Sequence, residues 1–81
     1  MTEAAIKEVL FKLLRKIAPE ANLEGLAPDA DLREALDIDS FDFLNFLIAI
    51  NENLKVEIPE ADYAQVRTLA GIVDYVSRRV A

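Results

Sequence analysis

Apolar residues in this chain recur at three- and four-residue steps in three separate stretches, a spacing that builds helices rather than sheets. Ile6, Val9, Leu10, Leu13, Leu14 and Ile17 make the first stripe. Phe43, Phe46, Leu47, Ile50 and Leu54 make the second, and Leu69, Ile72, Val73, Val76 and Val80 the third. Strict alternation is confined to Lys55-Val-Glu-Ile58, which Pro59 ends at once and which has no second strand to pair with, so it reads as an extended connector. The expected class is all-α, three longer helices burying their stripes against one another.

The ends of these helices carry signals of their own. Thr2 caps the first, Glu3 suits its positive end, and Pro19 stops it just beyond Ala18. The second begins at Asp39-Ser40 and runs to about Asn53. Thr68 caps the last, and Arg78 and Arg79 sit in its final turn, where the helix dipole favours cations. Pro59 opens a short helix from Glu60 to about Gln65, with Tyr63 and Val66 inward. From Glu20 to Asp39, Gly25 and Pro28 break any long helix, while Leu23, Leu26, Leu32, Leu36 and Ile38 offer apolar anchors. That segment reads as a long ordered loop with one helical turn around Leu32 to Leu36. Residues 1–81 are expected to form a single domain, since 81 residues leave no room for a second core.

The chain contains no cysteine and no histidine, which removes disulfides, thiolate or imidazole metal sites, and nucleophiles that depend on a histidine base. Its charge is −6, and it is unevenly spread. Glu20 to Asp62 holds twelve acids and two bases, Arg33 and Lys55; the flanks hold seven bases and three acids. Such an acidic centre repels phosphates and suits a basic protein surface, so neither nucleic acid nor anionic membrane is an expected partner. The longest apolar run, Phe46 to Ile50, falls far short of the ~20 residues a spanning helix needs, and with charges scattered through residues 2–17 a secretory signal is not expected there. A cytoplasmic chain is expected. The acids do not make a calcium loop: a register from Asp29 puts Glu34 where glycine belongs and Ser40 where a bidentate glutamate belongs. A register from Asp37 puts Asp42 and Ile48 in those places, so no metal site is assigned. A chain this small, without a pocket-forming segment to separate the pKa values of two carboxylates, is not expected to be an enzyme.

Two features remain. Ser40 stands at a helix start, where its hydroxyl can serve as an N-cap or, beside unpaired amides, carry an esterified phosphate. Beyond it, Phe41, Leu44 and Ile48 form a second stripe between the core sector and the polar side of Asp42, Asn45, Ala49, Glu52 and Asn53. That stripe either widens the buried face or forms an exposed surface for a partner.

Leu36-Asp37-Ile38-Asp39-Ser40-Phe41-Asp42, then Val56-Glu57-Ile58-Pro59, then Val66-Arg67-Thr68-Leu69 leading to Ile72-Val73-Asp74-Tyr75-Val76, resembles an acyl carrier protein over nearly the whole chain. The resemblance implies a four-helix bundle of three longer helices and a short one. It implies that Ser40, preceded by Asp39, takes 4'-phosphopantetheine from coenzyme A through a magnesium-dependent phosphopantetheinyl transferase. The thiol of that arm would carry acyl groups as thioesters, so a cysteine-free chain would borrow its thiol. A monomer without catalysis of its own is implied, serving acyl-loading and acyl-using enzymes of fatty-acid, polyketide or specialised lipid biosynthesis. Phe41, Asp42, Leu44, Ile48 and Glu52 are its expected docking residues. Two other readings stay open: a peptidyl or aminoacyl carrier of a nonribosomal pathway, and an unmodified helical interaction module. Asp37 stands where members commonly have glycine, Asn45, Asn51 and Asn53 where acids are frequent, and Phe41, Phe43 and Phe46 where smaller aliphatics are usual.

Overall fold

The computed structural model describes residues 2–80. Its elements are α1 (Glu3–Ile17), α2 (Leu32–Leu36), α3 (Ser40–Leu54), a 3-10 helix (Glu60–Val66) and α4 (Leu69–Arg79). The three periodic stripes become the three long helices. α1 packs against both α3 and α4, and the 3-10 helix packs on α4. Ile6, Leu10, Leu14, Phe46, Ile50, Ile72 and Val76 are wholly buried where the helices meet. Phe46 stacks at a tilt on Phe43, ring centroids 6.4 Å apart, and its truncation to alanine would cost about 3 to 5 kcal/mol.

Local chemistry sets the element ends. The Thr2 hydroxyl accepts from the Ala5 amide at 3.1 Å and the Thr68 hydroxyl from the Gly71 amide at 3.0 Å. Asp37 closes α2 in the left-handed region, φ 53° and ψ 46°, and Lys55 closes α3 in the same way. The turn before Ser40 therefore adopts a conformation that glycine enters freely, with an aspartate in it. The short helix over 60–66 is a 3-10 helix, with Val66 buried and Tyr63 half-buried against the core. Val56 and Ile58 of the connector point inward while Lys55 and Glu57 are exposed. Ala49 corrects the helical-wheel reading: it is half-buried and packs against the core, a side chain small enough to sit at the edge of a contact.

The long segment between α1 and α2 is pinned along its length. Leu23 is buried, and the Pro28 carbonyl accepts from the Ala70 amide at 2.9 Å, taking up a free donor in the first turn of α4. At Asp31 it meets the junction of the 3-10 helix and α4: Asp31 and Thr68 form an isolated antiparallel bridge, and the Leu32 amide donates to the Arg67 carbonyl at 2.9 Å. On the far side of the 3-10 helix, the Tyr75 hydroxyl donates to Asp62 at 2.6 Å and the Arg79 guanidinium lies 3.5 Å from the Tyr75 ring centroid. Burial, reinforced by the bond to Asp62, raises the Tyr75 pKa. Gly71 faces the end of the 3-10 helix so closely that a Cβ there would lie 2.3 Å from the Gln65 carbonyl oxygen.

Candidate functional site

Ser40 is exposed in the first turn of α3, and its hydroxyl has no hydrogen-bond partner among the described residues. The other serine, Ser77, lies in α4 with its hydroxyl donating to the Asp74 carbonyl at 2.9 Å. The N-cap of α3 is Asp39 rather than Ser40: the Asp39 carboxylate accepts from the Asp42 amide at 2.8 Å. The sequence points to Ser40 as the cap; both residue types cap well and they are adjacent, and the structure moves the assignment by one position. Because Asp39 performs the capping, the Ser40 hydroxyl is free for other chemistry.

A groove of about 490 Å³ opens beside Ser40, walled by Phe41, Phe43 and Leu44 of α3 and by Tyr63 and Ala64 of the 3-10 helix. Asp31, Arg33 and Arg67 complete its lining. Arg67 donates through Nε and Nη2 to one oxygen of Asp31, at 3.2 and 2.8 Å, and the opposite oxygen accepts from the Arg33 and Glu34 amides at 3.0 and 3.4 Å. The bond from Arg67, partly opposed by desolvation, holds the Asp31 carboxyl below the usual carboxylate range. Among the described residues no group of three or more acids converges as a metal site would require.

The second stripe lies outside the buried face. Phe41, Leu44 and Ile48 are 68%, 39% and 47% exposed and are the large exposed apolar side chains among the described residues. They run along α3 away from Ser40, and Phe41 and Leu44 also reach the groove. Glu52 is exposed further along the helix, while Asp42 is half-buried. Sequence reasoning passed over Tyr63, Ala64, Asp31, Arg33 and Arg67 as a set; their common position comes from tertiary contact, Asp31 and Arg67 being 36 positions apart. Buried Tyr75 was likewise outside the expected core, and its signal is a hydroxyl partner thirteen positions away.

A small helical bundle with a free serine at a helix start, an apolar-walled groove beside it and an exposed apolar stripe behind it has the form of a carrier domain. Residues 8–76 match the family model described as the phosphopantetheine attachment site. The acyl carrier protein of Thermosynechococcus vestitus is 29% identical over 76 residues, covering 91% of this chain and 94% of that protein. The acyl carrier protein of Syntrophobacter fumaroxidans is 34% identical over 58 residues, 72% of each chain, and that of Chlorobium phaeobacteroides 26% over 80 residues, 98% of this chain and all of that protein. This chain belongs to the acyl carrier protein family. Its members are carriers rather than enzymes, working through covalently attached 4'-phosphopantetheine and interacting with the phosphopantetheinyl transferase that attaches it and with biosynthetic enzymes. The residues present fit that group: an accessible hydroxyl opens onto a groove within the roughly 300 to 1,000 Å³ range of small-molecule sites. No described helix is long and apolar enough to cross a membrane.

Proposed function

We propose that Ser40 is the attachment point of the arm and that this chain, as a single monomeric domain in the cytoplasm, presents acyl thioesters to enzymes of fatty-acid, polyketide or specialised lipid biosynthesis. The observation that carries this reading is the unpartnered, exposed Ser40 hydroxyl beside the groove, with Asp39 rather than Ser40 supplying the helix cap. The prosthetic group supplies a terminal thiol for thioester chemistry. The chain's own residues do the rest: Asp39 fixes the start of α3 and so the direction in which the Ser40 hydroxyl points, and the groove walls shield whatever lies against Phe41, Phe43, Leu44 and Tyr63 from water.

Docking belongs to the stripe of Phe41, Leu44 and Ile48, with Asp42 and Glu52 as accompanying charges. Exposed apolar side chains on a rigid helix are suited to burial under a partner, and α3 carries few carboxylates to substitute for them. Incubation with coenzyme A, magnesium and a phosphopantetheinyl transferase should add the mass of one phosphopantetheine to the wild type and to Ser77→Ala, and none to Ser40→Ala. Modification of Ser40→Ala would overturn the assignment.

A further inference from the structure

We propose that Arg33 and Arg67 form a cationic rim on the groove that holds the phosphodiester anion of an arm esterified to Ser40. The proposal rests on the attachment reading above. At the start of α3 the positive end of the helix is shared with Asp39, whose carboxylate accepts the Asp42 amide at 2.8 Å, so further positive charge for an anion on the Ser40 oxygen comes from side chains. The cations among the residues lining the same groove are Arg33 and Arg67. They reach it from opposite parts of the chain, Arg33 from α2 and Arg67 from the turn between the 3-10 helix and α4.

Each is presented in a way that suits anion binding. Arg33 is exposed, has no ion-pair partner among the described residues, and is one of only two bases in the stretch that holds twelve acids. Its carbonyl accepts the Ile38 amide at 3.1 Å, which fixes the end of α2 against the turn that leads into Ser40. Arg67 is oriented by Asp31, which takes Nε and Nη2 and leaves Nη1 of the planar fork free. Two guanidiniums against the one carboxylate of Asp31 leave the rim with a single net positive charge, which matches the single negative charge of a phosphodiester. Arg33 stands within the acidic segment and Arg67 just beyond it, and neither packs into the core, since both are exposed.

Phosphorus NMR on the holo protein tests this directly, after intact mass has established that the arm is present on Ser40. In the folded wild type the phosphodiester resonance should be displaced from its position in the urea-unfolded holo protein. Arg33→Gln should return it most of the way, and Arg67→Lys, which keeps charge near Asp31 but loses the planar fork, should return it in part. Circular dichroism of each variant confirms that the helices persist. A resonance unmoved by either substitution in correctly modified, folded protein overturns the rim while leaving Ser40 as the attachment site. Failure of the wild type to gain the mass of the arm overturns the attachment reading, and the rim falls with it.

Discussion

Replacing Gly71 with alanine sets two physical effects against each other. Helix propensity favours alanine over glycine by about 0.8 to 1 kcal/mol in a helix interior, and less in the first turn, where Gly71 sits. Packing opposes it, because the added Cβ would stand 2.3 Å from the Gln65 carbonyl oxygen, 0.7 Å inside the 3.0 Å that real Cβ atoms keep, and 3.1 Å from the Thr68 hydroxyl that caps α4. The obstacle is backbone, not the end of a flexible side chain. It cannot easily retreat, because Val66 beside it is wholly buried and the Tyr75–Asp62 bond ties the same 3-10 helix to α4. Overpacking of this kind costs roughly 1 to 3 kcal/mol, and disturbance of the cap about 1 more, so the net expectation is a destabilisation of about 2 kcal/mol. For a domain of this size that corresponds to a fall in Tm of roughly 8 to 16 °C. Gly25→Ala is the matched control: its Cβ would meet the Asn22 side-chain nitrogen at 3.0 Å, an exposed group that can move at the expense of one solvent-exposed bond from the Gly25 amide, so its stability should fall by no more than about 1 kcal/mol. Thermal and urea unfolding followed by circular dichroism would measure both. A Gly71→Ala protein as stable as the wild type would mean that the 3-10 helix yields freely and that propensity decides the site.

Tyr75→Phe should lose about 0.5 to 1.5 kcal/mol at pH 7 with its bond to Asp62. The Tyr75 pKa is raised in the folded state, so the stability it contributes is complete below about pH 10 and is lost as pH rises through the folded value; the gap in urea midpoint between wild type and Tyr75→Phe should close in that range. Asp37→Gly should raise the urea midpoint, gaining up to about 1 kcal/mol, because the left-handed turn before Ser40 suits glycine better and one acid leaves a crowded segment; an unchanged or lower midpoint would show that Asp37 sits there without cost. Leu44→Ala and Ile48→Ala, 39% and 47% exposed, should each weaken binding to the cognate transferase by about 1 kcal/mol, against less for Glu52→Gln, as read by KM; steep salt dependence with indifference to both apolar residues would move recognition to the charges.

Periodicity carried most of the architecture because α1, α3 and α4 each bury one continuous stripe, and the caps at Thr2 and Thr68 fall where residue chemistry places them. What it could not carry depends on partners far apart in the chain. Ser40 reads as the cap in the sequence, and the Asp42 amide bonds to Asp39 instead. Ala49 sits on the polar arc of a helical wheel yet touches the core, because a wheel has no information about how closely a neighbouring element approaches. By helix propensity Gly71 is a mild weakness in α4, and the Gln65 carbonyl makes it a requirement. The serine and the stripe were legible as residues in order; the groove was not, since its walls come from four parts of the chain that only the fold brings together.

The junction at Asp31 also bears on which part of the native protein opens most readily. Its bridge to Thr68, its ion pair with Arg67 and the nearby bond from Ala70 to Pro28 join the middle of the chain to the start of α4, the ion pair spanning 36 positions. Between Ala18 and Asp31 only Leu23 is buried, so the strap has few apolar contacts and should open locally, its amides exchanging with solvent, before α1, α3 and α4 do. Since Asp31 and Arg67 both line the groove, that local opening loosens one rim of the groove while Ser40 remains on an intact α3.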